Sequence, residues 1–127
     1  MDSYKIIAMN SASSPEFDEQ SFIGQLHESG VWQKEQYWLV EWAIYDLIKK
    51  SGNHDDLHGS LFRIFSYVMG AISSHLDQCD MFEIENLERE EIYEFRERIQ
   101  LVFEGFFEKR IPERAVFSEE NPLLNGS

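Results

Sequence analysis

The chain has 127 residues, enough for one domain of ordinary size and too few for two comfortable ones. It is 43% apolar and 14% aromatic, so disorder throughout would leave too many large side chains in water. With 24 acidic residues against 11 Lys and Arg, the net charge of −13 repels nucleic acid and anionic membranes alike.

The single Cys79 has no internal disulfide partner, and nothing ties the chain to an oxidising compartment. The first nine residues lack the apolar core of a secretory signal, and Glu41, Asp46 and Arg63 interrupt the longest hydrophobic stretches. These features give a cytoplasmic expectation.

Taken in chain order, the only alternation that reads as a strand is at residues 5–9. Prolines occur at positions 15, 112 and 122 only, which leaves the whole centre free of the residue most costly inside a helix. Ser14-Pro15-Glu16 reads as a cap followed by a first helical proline. Phe17, Phe22, Ile23 and Leu26 supply a short apolar face, and Gly30 a stop.

A second helix is expected over 33–50, where Trp38, Trp42, Tyr45 and Ile48 form a stripe widened by Leu39 and Leu47. Apolar around much of its circumference, it should lie centrally in the packing. The third helix, over 57–76, repeats Leu61, Ile64, Phe65, Val68, Ile72 and Leu76 at spacings of three and four. The fourth and longest, over 87–109, has an inner stripe of Ile92, Phe95, Ile99, Val102, Phe103 and Phe106. Its first turn is acidic and its end is basic, as the helix dipole prefers. The expectation is a single all-α domain of four or more helices over residues 1–127, with loosely ordered ends at about 1–13 and 112–127.

Candidate chemistry is sparse. His54 and His58 stand four apart with Asp55 and Asp56 between them, a spacing that lets two rings meet one metal ion on a helix. The same residues also read as a capping loop, and no HExxH pattern occurs, so no metal and no cofactor is expected. His75 and Cys79 fall together, but a histidine near a helix C-terminus followed by an acidic turn accounts for them without catalysis. There is no phosphate-cradling glycine loop, GxSxG or CxxC, and the chain is not expected to be an enzyme. Tyr37, Trp38, Trp42 and Tyr45 read as core, whereas Trp32 stands at an element boundary where a half-exposed indole could anchor an interface.

The acids are uneven. Residues 77–94 hold eight of them against one base, Arg89. Glu90, Glu94, Glu97, Glu104 and Glu108 then form a stripe opposite the apolar face of the last helix. A solvated surface explains such a stripe, yet like charges at i, i+4 cost a few tenths of a kcal/mol each where alternating signs would stabilise. A basic protein partner supplies a reason for the stripe, because complementary charge speeds encounter and suppresses wrong partners.

Two stretches, Trp32-Gln33-Lys34-Glu35-Gln36-Tyr37-Trp38-Leu39-Val40-Glu41-Trp42, and Leu87 with Glu91-Ile92-Tyr93-Glu94-Phe95-Arg96-Glu97-Arg98-Ile99-Gln100-Leu101-Val102-Phe103-Glu104-Gly105-Phe106-Phe107, are joined by Phe65-Ser66-Tyr67. Together they resemble the helical immunity proteins of family 41, which guard bacteria against polymorphic toxins. The resemblance implies binding to the C-terminal toxin domain of a neighbouring effector, such as a contact-dependent growth inhibition toxin. A nuclease, with its basic phosphate-holding cleft, suits an acidic inhibitor. Trp32, Asp77, Asp80, Glu90, Glu94 and Glu97 are the expected contact residues. The alternative is an acidic helical adaptor or regulatory subunit that binds some other basic protein.

Overall fold

In a computed structural model, which describes residues 1–113 and 116–124, the described residues form five α-helices and no strand. They are α1 (Ser3–Met9), α2 (Phe22–Ser29), α3 (Lys34–Lys49), α4 (His58–Leu76) and α5 (Arg89–Glu108). The architecture is all-α, as expected.

α3 is the hub, packing against α1, α2, α5 and the short 3-10 turn Pro122–Leu124. Its buried residues, Tyr37, Trp38, Val40, Glu41, Ala43, Ile44, Tyr45 and Leu47, cover most of the circumference, which is why its apolar pattern is wider than one stripe. α4 and α5 lie against each other. All six residues of the expected α5 stripe are buried. Glu88 opens that helix, donating its backbone N–H to Glu91 Oε1 at 3.2 Å. Lys109, in the left-handed region at φ 58°, ends it.

Two local readings differ. Ser14 and Pro15 do not start α2; they make a turn in which Ser14 accepts from the backbone N–H groups of Glu16 and Phe17, both at 3.1 Å. Ser21 is the true cap, its hydroxyl accepting from Gly24 N–H at 3.1 Å. The chain at Asp18 and Glu19 crosses directly over the first turn of α2, so close that a Cβ on Gly24 would lie 2.5 Å from both carbonyl oxygens. A helix begun at Pro15 could not make that crossing.

The strand-like residues 5–9 belong to α1, capped by Asp2 through Lys5 N–H at 3.3 Å. Far from lying loose, this short helix buries Ile7 completely and packs on α3. Seven residues are too few to hold a helix alone, and tertiary packing stabilises it. Asn10 joins it to α2, accepting from Ile23 N–H at 3.0 Å and donating to the Ile6 carbonyl at 2.9 Å. At the other end, expected to be loose over 112–127, Asn121 and Leu124 are buried. Residues 114–115 and 125–127 of that expected loose end lie outside the described residues.

Candidate functional site

α5 presents opposite chemistry on its two sides. The buried stripe fixes its rotation, and that rotation turns Glu90, Glu94 and Glu97 outward. Beyond them the segment 116–119 runs beside the helix, leaving a cleft of about 190 Å³ lined by Glu91, Glu94, Glu97, Phe95, Arg98 and this segment. Ser118 spans the gap by donating its hydroxyl to Glu94 at 2.8 Å.

A buried polar clamp holds the segment there. Arg98, on the core side of α5, grips the fully buried Glu41 of α3 with two parallel hydrogen bonds, Nε to Oε1 at 2.7 Å and Nη2 to Oε2 at 2.9 Å. Its third arm donates to the Glu119 carbonyl. The guanidinium lies 4.7 Å from the Trp38 ring centre and 4.4 Å from that of Phe117. Glu41 also accepts from the Tyr37 hydroxyl at 3.1 Å and from the Asn121 amide at 3.0 Å. Burial opposes the charge on Arg98, but the bonds and charge of Glu41 outweigh it and raise its pKa. Burial, then the negative charge of Glu41, pushes the Tyr37 phenol well above its ordinary value, so it remains a donor.

The outward acids are not equivalent. Lys34 reaches Glu91 at 2.9 Å and Glu119 at 3.2 Å. Arg110 pairs with Glu108 at 2.9 Å and approaches Glu104 at 3.9 Å. Among the described residues no cation pairs with Glu90, Glu94 or Glu97. Among the described residues, the carboxylates of the stripe without a cation partner therefore gather on the first turns of α5.

Of the sequence-based candidates, the structure brings Glu94 and Glu97 into one cleft and leaves Glu90 exposed on the same helix. Asp77 and Asp80 lie apart, in the exposed turn after α4, where each accepts a backbone N–H two residues on: Cys79 at 2.9 Å and Phe82 at 2.8 Å. The base of that connection is anchored, with Ile84 N–H donating to His75 Nδ1 at 2.9 Å and Glu85 N–H to the Gly30 carbonyl at 2.9 Å.

Trp32 requires correction. It is only 1% exposed, packed between Phe22 and Phe95 with ring centres 4.8 Å from each, and cannot anchor a partner from that position. Asn86 holds its backbone on both sides, accepting from its N–H and donating to its carbonyl, each at 2.8 Å. A boundary tryptophan looked half-exposed because the return of residues 83–87 over it involves contacts distant in sequence.

The histidines have separate surroundings. His54 Nδ1 lies 2.9 Å from the Tyr4 hydroxyl, while His58 Nε2 is 3.3 Å from Asp55 and its ring sits edge-on to Phe107. The Glu41–Arg98 clamp went unread in the sequence, although a signal existed: each is a lone charge inside an otherwise apolar helical stripe.

A family model described as Immunity protein 41 matches residues 9–111 of the 127. Neither the curated proteins nor the solved structures give a match.

Proposed function

The chain belongs to the Immunity protein 41 family, whose role is to neutralise a toxin, and from that premise we propose that it works by binding alone, as one domain in the cytoplasm. Its target in this reading is the C-terminal domain of the effector encoded just upstream. A nuclease delivered by contact-dependent growth inhibition fits best, because a nuclease must hold phosphate in a positive cleft. The observation that carries the reading is the set of carboxylates on the outer face of α5, Glu90, Glu94 and Glu97, that pair with no cation among the described residues. Glu90 suits the helix dipole and Glu94 accepts the Ser118 hydroxyl, but three like charges on one face repel one another and are suited to lysines and arginines.

Asp77 and Asp80, exposed in their own turn after α4, add negative charge apart from that face. Charges of this kind act on encounter: they steer a basic domain over about one Debye length, roughly 8 Å at physiological ionic strength. No catalytic group is needed for protection of this type.

Co-expression tests it. The unaltered chain should rescue a bacterial host from the upstream toxin domain, and the triple variant Glu90→Lys, Glu94→Lys, Glu97→Lys should fail while keeping its helical circular dichroism. Full rescue by the triple variant would remove the acidic face from the mechanism.

A further inference from the structure

α4 and α5 carry aromatic side chains that the core does not need. Phe62 is 63% exposed and Phe107 45% exposed, and both stand outside the buried stripes of their helices. Between them lie the half-buried Phe65 and the buried Phe103, ring centres 5.6 Å apart. The four rings line a groove of about 290 Å³ along the α4–α5 seam, and Glu104 and Glu108 form part of its wall. A polar residue at position 62 would leave the packing intact and spare the cost of wetting an aromatic ring.

Resting on the toxin-binding reading above, we propose that this groove is where the partner is held. Its occupant is a basic protein surface bearing one protruding aliphatic or aromatic side chain flanked by Lys or Arg. The apolar knob fills the space between Phe62 and Phe107, and a flanking cation meets Glu104, which Arg110 approaches only at 3.9 Å while it pairs with Glu108 at 2.9 Å. Charge selects this occupant over a second copy of the chain. The wall has two carboxylates against one described cation within reach, Arg110, and each copy carries −13, so a symmetric pairing would press like charges together. The labour is then divided: the acids on the first turns of α5 set the rate of encounter, and the aromatic groove sets the lifetime of the complex. Aromatic anchors in a desolvated pocket ringed by polar groups are the usual seat of binding energy.

The test measures binding kinetics of the full chain with the purified toxin domain encoded upstream, at two salt concentrations. Phe62→Ser and Phe107→Ser should each speed dissociation at least tenfold, about 1.4 kcal/mol, with association and its salt dependence unchanged. The Glu90, Glu94, Glu97 lysine triple should instead slow association. Because Phe62 is mostly in solvent, Phe62→Ser should fold normally, and its melting curve checks this. If both serine variants dissociate like the unaltered chain while the lysine triple loses binding, the groove is overturned and the acidic face survives. If the unaltered chain does not bind the toxin domain, both ideas fall. Should the chain be a dimer in solution that either serine variant dissociates, the groove belongs to a second copy and the proposal is refuted.

Discussion

Replacing Arg98 by methionine attacks the clamp that holds the C-terminal segment against α3 and α5. The substitution keeps an apolar stem but removes two hydrogen bonds to Glu41, one to the Glu119 carbonyl, and the stacking on Trp38 and Phe117. Glu41 stays at 0% exposure, its negative charge now supported, among the described residues, by the hydrogen bonds of Tyr37 and Asn121. Breaking a buried pair from one side costs about 3–5 kcal/mol, because the surviving charge stays desolvated. Against a total stability of about 5–15 kcal/mol that is a large fraction, and it corresponds to a fall in Tm of roughly 10–20 °C. Urea unfolding at pH 7 followed by circular dichroism gives the free energy.

A second variant separates charge from shape. In Glu41→Leu with Arg98→Met both ions are gone, and most of the loss should be recovered, leaving a coupling of about 2 kcal/mol or more in the double-mutant cycle. Amide exchange across 116–121 should accelerate in the single variant and much less in the double. An Arg98→Met chain within about 1 kcal/mol of the unaltered one would refute the reasoning, since the pair would then not be desolvated.

Trp32→Ala should cost about 3–5 kcal/mol by emptying an aromatic core site, visible as a lowered urea midpoint; an unchanged midpoint with lost toxin binding would restore Trp32 as a surface anchor. The Lys34–Glu91 bridge should leave a pH signature. The hydrogen bond from Lys34, then that from the Glu88 backbone, holds Glu91 below its ordinary pKa, and the Glu91 bond in turn raises Lys34. A carboxylate so lowered stabilises the fold above its unfolded value of about 4.3 and ceases to do so as pH falls through its folded value. The raised lysine contributes below about 10.4 and is lost as pH rises through its folded value. Lys34→Ala should therefore be less stable by roughly 0.2–1 kcal/mol near neutrality, since both groups are partly exposed, with the gap closing toward pH 2. A gap constant from pH 2 to 7 would exclude the bridge as its cause.

Much of this architecture is local information. The stripes of α4 and α5 were legible because their apolar residues recur with the helical period, and a periodic face declares both the helix and the side it buries. The central place of α3 followed from an apolar pattern too wide for a surface helix. The acidic run of α5 was equally plain, since it depends on composition and spacing alone.

Tertiary structure decided what depends on contacts between distant residues. The 57 positions separating Glu41 from Arg98 conceal that two stray charges are partners, and the 54 between Trp32 and Asn86 conceal that a boundary tryptophan is covered. The same holds for the true start of α2, set by the chain crossing at Gly24, and for α1, a helix that exists because α3 receives it. Which acids find a cation was also a tertiary outcome: packing brings Lys34 to Glu91 and the chain's turn after α5 brings Arg110 to Glu108, whereas Glu90, Glu94 and Glu97 pair with none among the described residues. Periodicity reports which face of an element is buried; it cannot report what that face meets, because the meeting is paid for by chain entropy and packing across the whole molecule.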